Sequence, residues 1–194
     1  MEEKWKTTAM LVIDMQKDFL KPEKIMHVPG AQAVIPNVIK AVDVARQRGI
    51  LVIWIVREHD SMGRDVEFHR SHLYGEDKEG STVKGRVGAE LADGLEIQKG
   101  DYKIVKTRLS GFFATNLHSV LQRAGIDSLV FTGVQTPYCI RQTVFDALEL
   151  DYPSISVITD ATDAAPFSVE IHAANLLDMK NVGIATPTLK EWCA

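Results

Sequence analysis

Residues 129–143 read LVFTGVQTPYCIRQT. Leu129-Val130-Phe131 is a short apolar run that breaks at Thr132-Gly133, and beyond it Ile140, Val144, Phe145 and Leu148 recur at helical spacing. A strand passing through a tight turn into a helix is half of a βαβ unit. Cys139 stands at that junction, in a chain with only two cysteines. A lone thiol there has two readings. It fills a gap in the core, as cysteines commonly do, or it points out of the sheet as a nucleophile.

The same grammar extends outward from this stretch. Short apolar runs occur at Ala9–Ile13, Ile50–Val56, Lys103–Val105, Ile155–Ile158 and Val182–Ile184. Continuous rather than alternating apolar residues are what strands buried on both faces require. Between them lie helical patterns: Val34-Ile35-Val38-Ile39-Val42-Ala45 stopped by Gly49, Leu117-Val120-Leu121-Ala124 stopped by Gly125, and Ile171-Ala174-Leu177. Alternating strands and helices predict a three-layer α/β/α fold, Rossmann-like, around a mainly parallel six-stranded sheet. With 194 residues and no linker or repeat, the chain is expected to form one domain over 1–194. Residues 57–84 break the rhythm; a polar connection of that length is usually a functional or mobile loop.

Composition narrows the class. A net charge of −4 gives no reason to expect nucleic acid or an anionic membrane as partner. The N-terminal apolar run ends at Asp14, too short for a membrane span, and no signal-peptide pattern precedes it. Two distant cysteines, Cys139 and Cys193, suit a reducing compartment, so a cytoplasmic location is expected.

In open α/β sheets ligands bind beyond the carboxyl ends of the strands. Asp14 follows the first run, Arg57 the second, Lys106 the third, Cys139 the fourth and Thr159-Asp160 the fifth. Singly, a carboxylate there caps a turn and a lysine is solvated. Together, Asp14, Lys106 and Cys139 form a coherent chemical set. A helix N-terminus and a nearby cation lower a thiol's pKa. A carboxylate can take the thiol proton and return it to a leaving group. The turn at 133–137 would aim backbone N–H groups at a developing oxyanion.

At three ordered motifs the chain resembles the isochorismatase-like cysteine hydrolases, among them nicotinamidases, N-carbamoylsarcosine amidases and ureidoacrylate amidohydrolases. The motifs are Asp14-Met15-Gln16-Lys17-Asp18-Phe19, Lys106-Thr107-Arg108-Leu109-Ser110-Gly111-Phe112-Phe113 and Gly133-Val134-Gln135-Thr136-Pro137-Tyr138-Cys139-Ile140. The resemblance implies that Asp14, Lys106 and Cys139 are a catalytic triad and that Cys139 attacks a carbonyl carbon through a thioester. It further implies a cis peptide at Val134–Gln135, an oxyanion hole from the N–H groups of Gln135 and Cys139, and a dimer or tetramer.

One departure matters. Nicotinamidases of this family carry Asp-x-His and a later His as metal ligands. Here the loop reads Arg57-Glu58-His59-Asp60, with His69 and His72 beyond, and the spacing is not met. The expectation is therefore no metal and no cofactor. A small acyclic amide, ureido or carbamoyl substrate is favoured over nicotinamide, as the resemblance of the 57–74 loop to that of ureidoacrylate amidohydrolases also implies. Gln16, Phe19, Arg57, Phe112, Tyr138 and Arg141 are the candidate substrate contacts, the arginines for a carboxylate. Arg64 reads as surface charge, Asp160 as a cap, and His27, His118, His172 and Cys193 receive no role. A nucleotide-binding protein would need a glycine-rich turn after the first strand, where Asp14-Met15-Gln16-Lys17 stands instead. A nicotinamidase or isochorismatase-type hydrolase and a catalytically silent binding relative are the remaining alternatives.

Overall fold

A computed structural model of the chain describes residues 3–163 and 169–194. Its centre is a sheet of β1 (Thr8–Ile13), β2 (Leu51–Arg57), β3 (Tyr102–Lys106), β4 (Ser128–Val134) and β5 (Ser154–Asp163). The order is β3-β2-β1-β4-β5, and each neighbouring pair is parallel. The helices are α1 (Glu3–Lys6), α2 (Lys17–Leu20), α3 (Ala31–Arg48), α4 (Leu117–Arg123), α5 (Arg141–Glu149), α6 (Val169–Asn181) and α7 (Leu189–Cys193).

Side chains alternate across a strand, so each apolar run feeds two cores. Met10, Val12, Val52, Trp54 and Val130 pack with Val38, Val42 and Ala45 of α3 and Leu189 of α7. Leu11, Ile13, Ile53, Ile55 and Phe131 pack on the other face with Leu117 and Leu121 of α4, Val144 and Ala147 of α5 and Met179 of α6. Trp54 and Phe131 are wholly buried, and each contributes roughly 1.5–3 kcal/mol by that burial. Gly49, at φ 75°, ends α3 and gives its N–H to the carbonyls of Ala45 and Arg46.

Among the described residues the sheet has five strands, not the six expected. After α6 the chain turns at Gly183 (φ 95°), and only Ala185 meets β5 as a strand would. Its N–H donates to the Ile155 carbonyl at 3.0 Å, and its carbonyl accepts from Val157 N–H at 2.9 Å. Pro187 accepts from Thr159 N–H at 2.9 Å but has no N–H to return, so the ladder stops there.

The long connection after β2 is irregular except for tight helical turns at Phe68–Leu73 and Val87–Ala89. It folds over its own small core of Val66, Tyr74 and Val83. Asp18 of α2 fastens it by accepting the Thr82 N–H at 2.6 Å. Among the described residues, no helix is long and apolar enough to cross a membrane.

Candidate active site

The strand order reverses between β1 and β4, and at such a switch point the connections leave in opposite directions and open a crevice. Gly133 makes the approach possible. It adopts φ 112°, and a Cβ there would lie 2.1 Å from the Ile13 carbonyl oxygen. Asp14 follows directly in the left-handed region at φ 53°, its N–H donating to the Ile55 carbonyl at 2.9 Å. Such backbone in a residue other than glycine costs of order 1 kcal/mol or more and is concentrated at functional sites. The Val134–Gln135 peptide bond is cis. Residues Thr136–Ile140 form one wide π-helical turn that runs straight into α5.

This geometry brings Asp14, Lys106 and Cys139 together. Lys106 Nζ donates to Asp14 Oδ2 at 2.8 Å, to the Arg108 carbonyl at 3.1 Å and toward Cys139 Sγ at 3.4 Å. Lys106 is 0% exposed and Asp14 2%, so their pairing is not diluted by water. Asp14 Oδ1 is buried with no hydrogen-bond partner among the described residues. The Cys139 carbonyl is held by Thr143, whose hydroxyl donates to it at 2.6 Å while accepting the Gly111 N–H at 3.0 Å.

Burial and the Asp14 carboxylate push the Cys139 thiol above its ordinary range, against the pull of Lys106 and Arg57. This differs from the depressed thiol expected from the helix terminus and Lys106. A sulfur buried beside a carboxylate pays more in lost hydration than those cations return.

Arg57, at the end of β2, is 3% exposed. Its Nη2 lies 3.9 Å from Cys139 Sγ, its Nε 3.8 Å from Asp14 Oδ2, and its two terminal nitrogens grip Glu67 at 3.1 and 3.4 Å. Burial works to raise the Glu67 carboxyl, but the Arg57 charge and hydrogen bonds overcome it and bring the pKa down to about 2. Arg57 Nη1 also faces His59 Nε2 at 3.4 Å. A guanidinium only donates, so His59 Nε2 accepts and Nδ1 gives its proton to Asp65 Oδ1 at 3.2 Å. Burial and the Arg57 charge hold this imidazole below its usual range.

Asp14, Arg57, Gln135 and Cys139 open on a cavity of about 350 Å³, walled by Phe19, Ile25, Met26, Leu109, Val134 and Tyr138, with His27 and Arg70 also on its lining. Tyr138 is 46% exposed at the mouth. Gln16 stands elsewhere: fully buried, it clamps the Arg57 backbone, Nε2 donating to its carbonyl at 2.7 Å and Oε1 accepting its N–H at 2.7 Å. Phe112 stacks against Tyr152 and His118 rather than lining the cavity. Arg141 lies on the surface, pairing with Asp178 at 2.7 Å and covering the Phe145 ring. Asp160 accepts the Leu189 N–H at 2.6 Å at the start of α7, whose N-cap is Thr188.

The metal candidates scatter. Glu58 pairs with Lys103, His59 is wedged between Arg57 and Asp65, and His69 and His72 are exposed. Among the described residues, no three His, Cys, Asp or Glu side chains converge as ligands. A guanidinium against His59 Nε2 also repels a cation at that nitrogen, so the donors present do not fit the nicotinamidase metal. Glu67, Arg70 and His27 had no signal in the sequence, since only tertiary contacts bring Arg70 and His27 to the cavity and Glu67 to Arg57.

The Isochorismatase domain family pattern matches residues 8–191. A probable inactive nicotinamidase of Arabidopsis thaliana is 62% identical over 193 residues, 99% of this chain and 97% of its own length. Among solved structures, an isochorismatase family protein from Desulfovibrio vulgaris superposes with a TM-score of 0.90 at 38% identity, covering 95% of each chain. N-carbamoylsarcosine amidase from Thermoplasma acidophilum gives a TM-score of 0.78 at 26% identity, over 95% of this chain and 98% of its own.

Proposed function

The chain belongs to the isochorismatase family of hydrolases, and on that premise we propose that it is a cysteine-dependent amidohydrolase. Its substrate is a small molecule with an amide, ureido or carbamoyl C–N bond. The observation that carries the proposal is the meeting of Asp14, Lys106 and Cys139 within 2.8 and 3.4 Å, with Asp14 and Cys139 lining one cavity.

Asp14 takes the proton from Cys139 as Sγ bonds to the substrate carbonyl carbon. The oxygen, now anionic, is received by the backbone N–H groups of Gln135 and Cys139. An oxyanion donor of this kind is worth about 10²–10³ in rate. The carbonyl re-forms, the C–N bond breaks, and Asp14 returns the proton to the departing nitrogen, giving ammonia or an amine and a thioester, which is an S-thiocarbamate where the substrate is ureido or carbamoyl. Water then adds to the thioester, its proton passing to Asp14. The C–S bond breaks and the thiol regains its proton. Lys106 stays charged throughout and holds Asp14 and the sulfur together. Phe19 and Tyr138 wall the substrate.

The resemblance to N-carbamoylsarcosine amidase supports a ureido or carbamoyl acid. The Arabidopsis relative carries the name of a probable inactive nicotinamidase, and the scattered metal donors agree with nicotinamide being a poor substrate here. Self-association as a dimer or tetramer belongs to the same proposal; exposed Ile171 and Leu177 of α6 and Val182 offer apolar contact. The test is ammonia release from a panel of small primary amides, N-carbamoyl amino acids, ureidoacrylate and nicotinamide. Turnover of a carbamoyl or ureido member is expected; a protein that accepts only nicotinamide, or none of the panel, overturns the proposal.

A further inference from the structure

Two cations, not one, stand beside the Cys139 sulfur: Lys106 Nζ at 3.4 Å and Arg57 Nη2 at 3.9 Å. Resting on Cys139 as nucleophile, we infer that Arg57 is a fourth catalytic residue, which holds the sulfur as thiolate once its proton has moved to Asp14, and is not an anchor for a substrate carboxylate.

The engagement of the guanidinium carries this. A carboxylate anchor must present a free fork of two N–H groups. Here Glu67 already takes both terminal nitrogens, His59 Nε2 shares Nη1, and Nε is turned toward Asp14. A substrate carboxylate would have to expel Glu67, which is itself held by Arg70 at 3.6 Å. The backbone is equally committed, because the Gln16 side chain bonds both the N–H and the carbonyl of Arg57. A charge this buried is costly unless it is paired. Glu67 and Asp14 supply the pairing and leave the edge bearing Nη2 toward the sulfur. Negative charge forming there meets a donor already in place.

The groups facing Cys139 are Asp14 from the end of β1, Arg57 from β2 and Lys106 from β3, with His27, Arg70 and Tyr138 on the cavity wall. Lys106 remains in every variant below, so any change reports on Arg57.

The test needs no substrate, which separates its failure from failure of the proposed activity. In a Cys193→Ser background, where Cys139 is the only thiol, alkylation by iodoacetamide is followed by intact mass from about pH 6 to about pH 11.5; the thiolate displaces iodide and forms the S–C bond. Arg57→Gln is expected to raise the midpoint of the rate–pH profile by about 1–2 pH units. Below both midpoints that is about ten- to hundredfold slower labelling. Arg57→Lys restores part of the shift. Glu67→Gln, which leaves the guanidinium less compensated between Asp14 and His59, lowers the midpoint. A looser pocket alone changes the plateau rate and not the midpoint. An unmoved midpoint in Arg57→Gln, or a shift that Arg57→Lys does not reduce, overturns the inference. If Arg57→Gln does not fold, Glu67→Gln decides alone, and a midpoint unmoved or raised there overturns it.

Discussion

Lys106 Nζ lies 2.8 Å from Asp14 Oδ2, and both side chains are almost wholly buried. They are 92 residues apart in sequence and meet because β1 and β3 both flank β2 in a parallel sheet. Removing one partner of a buried pair leaves the other charge uncompensated, typically at 3–5 kcal/mol. Arg57 remains 3.8 Å from Asp14 and offsets part of this. Lys106→Ala is therefore expected to lose about 3 kcal/mol in urea unfolding, together with hydrolysis. A loss below about 1 kcal/mol, the range of an exposed pair, would show that the two do not act as a buried pair.

Thr143 ties the cysteine turn to the segment after β3. Thr143→Val keeps the shape but strands the buried Gly111 N–H and frees the Cys139 carbonyl. The expected cost is about 1–3 kcal/mol. Urea unfolding of the variant against the parent measures it, and equal midpoints would mean that the two bonds contribute nothing net.

Glu67 gives stability a pH signature. Its folded pKa, about 2, lies below the ordinary glutamate value of about 4.3. The unfolded chain therefore binds this proton more readily, and the stabilisation is present above the unfolded value and lost as pH falls toward the folded one. The stability gap between parent and Glu67→Gln should be constant from about pH 6 to about pH 8 and should shrink below about pH 5. Urea unfolding at both ends of that window checks it; a gap that widens on acidification has the wrong sign.

How much of this could be read beforehand depended on the range of the interaction. Burial on both sheet faces writes itself as continuous apolar runs, so the strands around Leu11, Ile53 and Phe131 were legible, as was the polar residue ending each. The sixth run was equally apolar, yet Gly183 and Pro187 keep it to one bridge. Arg141 and Phe112 were placed near the pocket by adjacency in sequence. Two residues along a helix, however, is a turn of about 200°, which carries Arg141 to the far side from Cys139. Gln16 had the right position and a different task, holding Arg57. Glu67 and His27 come from irregular connections and Arg70 from a single short helical turn, where no periodicity announces which side chain turns inward.

Metal removal separates this chain from a metal-dependent amidase. Hydrolysis of the accepted substrate should survive dialysis against a strong chelator, because the four candidate donors do not converge. Activity lost on dialysis and restored by zinc would return His59, His69 and His72 to the site.

The central claim is that Cys139 is the nucleophile of an amide-cleaving enzyme. Its most direct test is ammonia release from the amide and carbamoyl panel, with parent and Cys139→Ala side by side under saturating substrate. The expected result is turnover of at least one carbamoyl or ureido compound by the parent and a loss of about 10³-fold or more in the variant. Turnover by Cys139→Ala within about tenfold of the parent would contradict it.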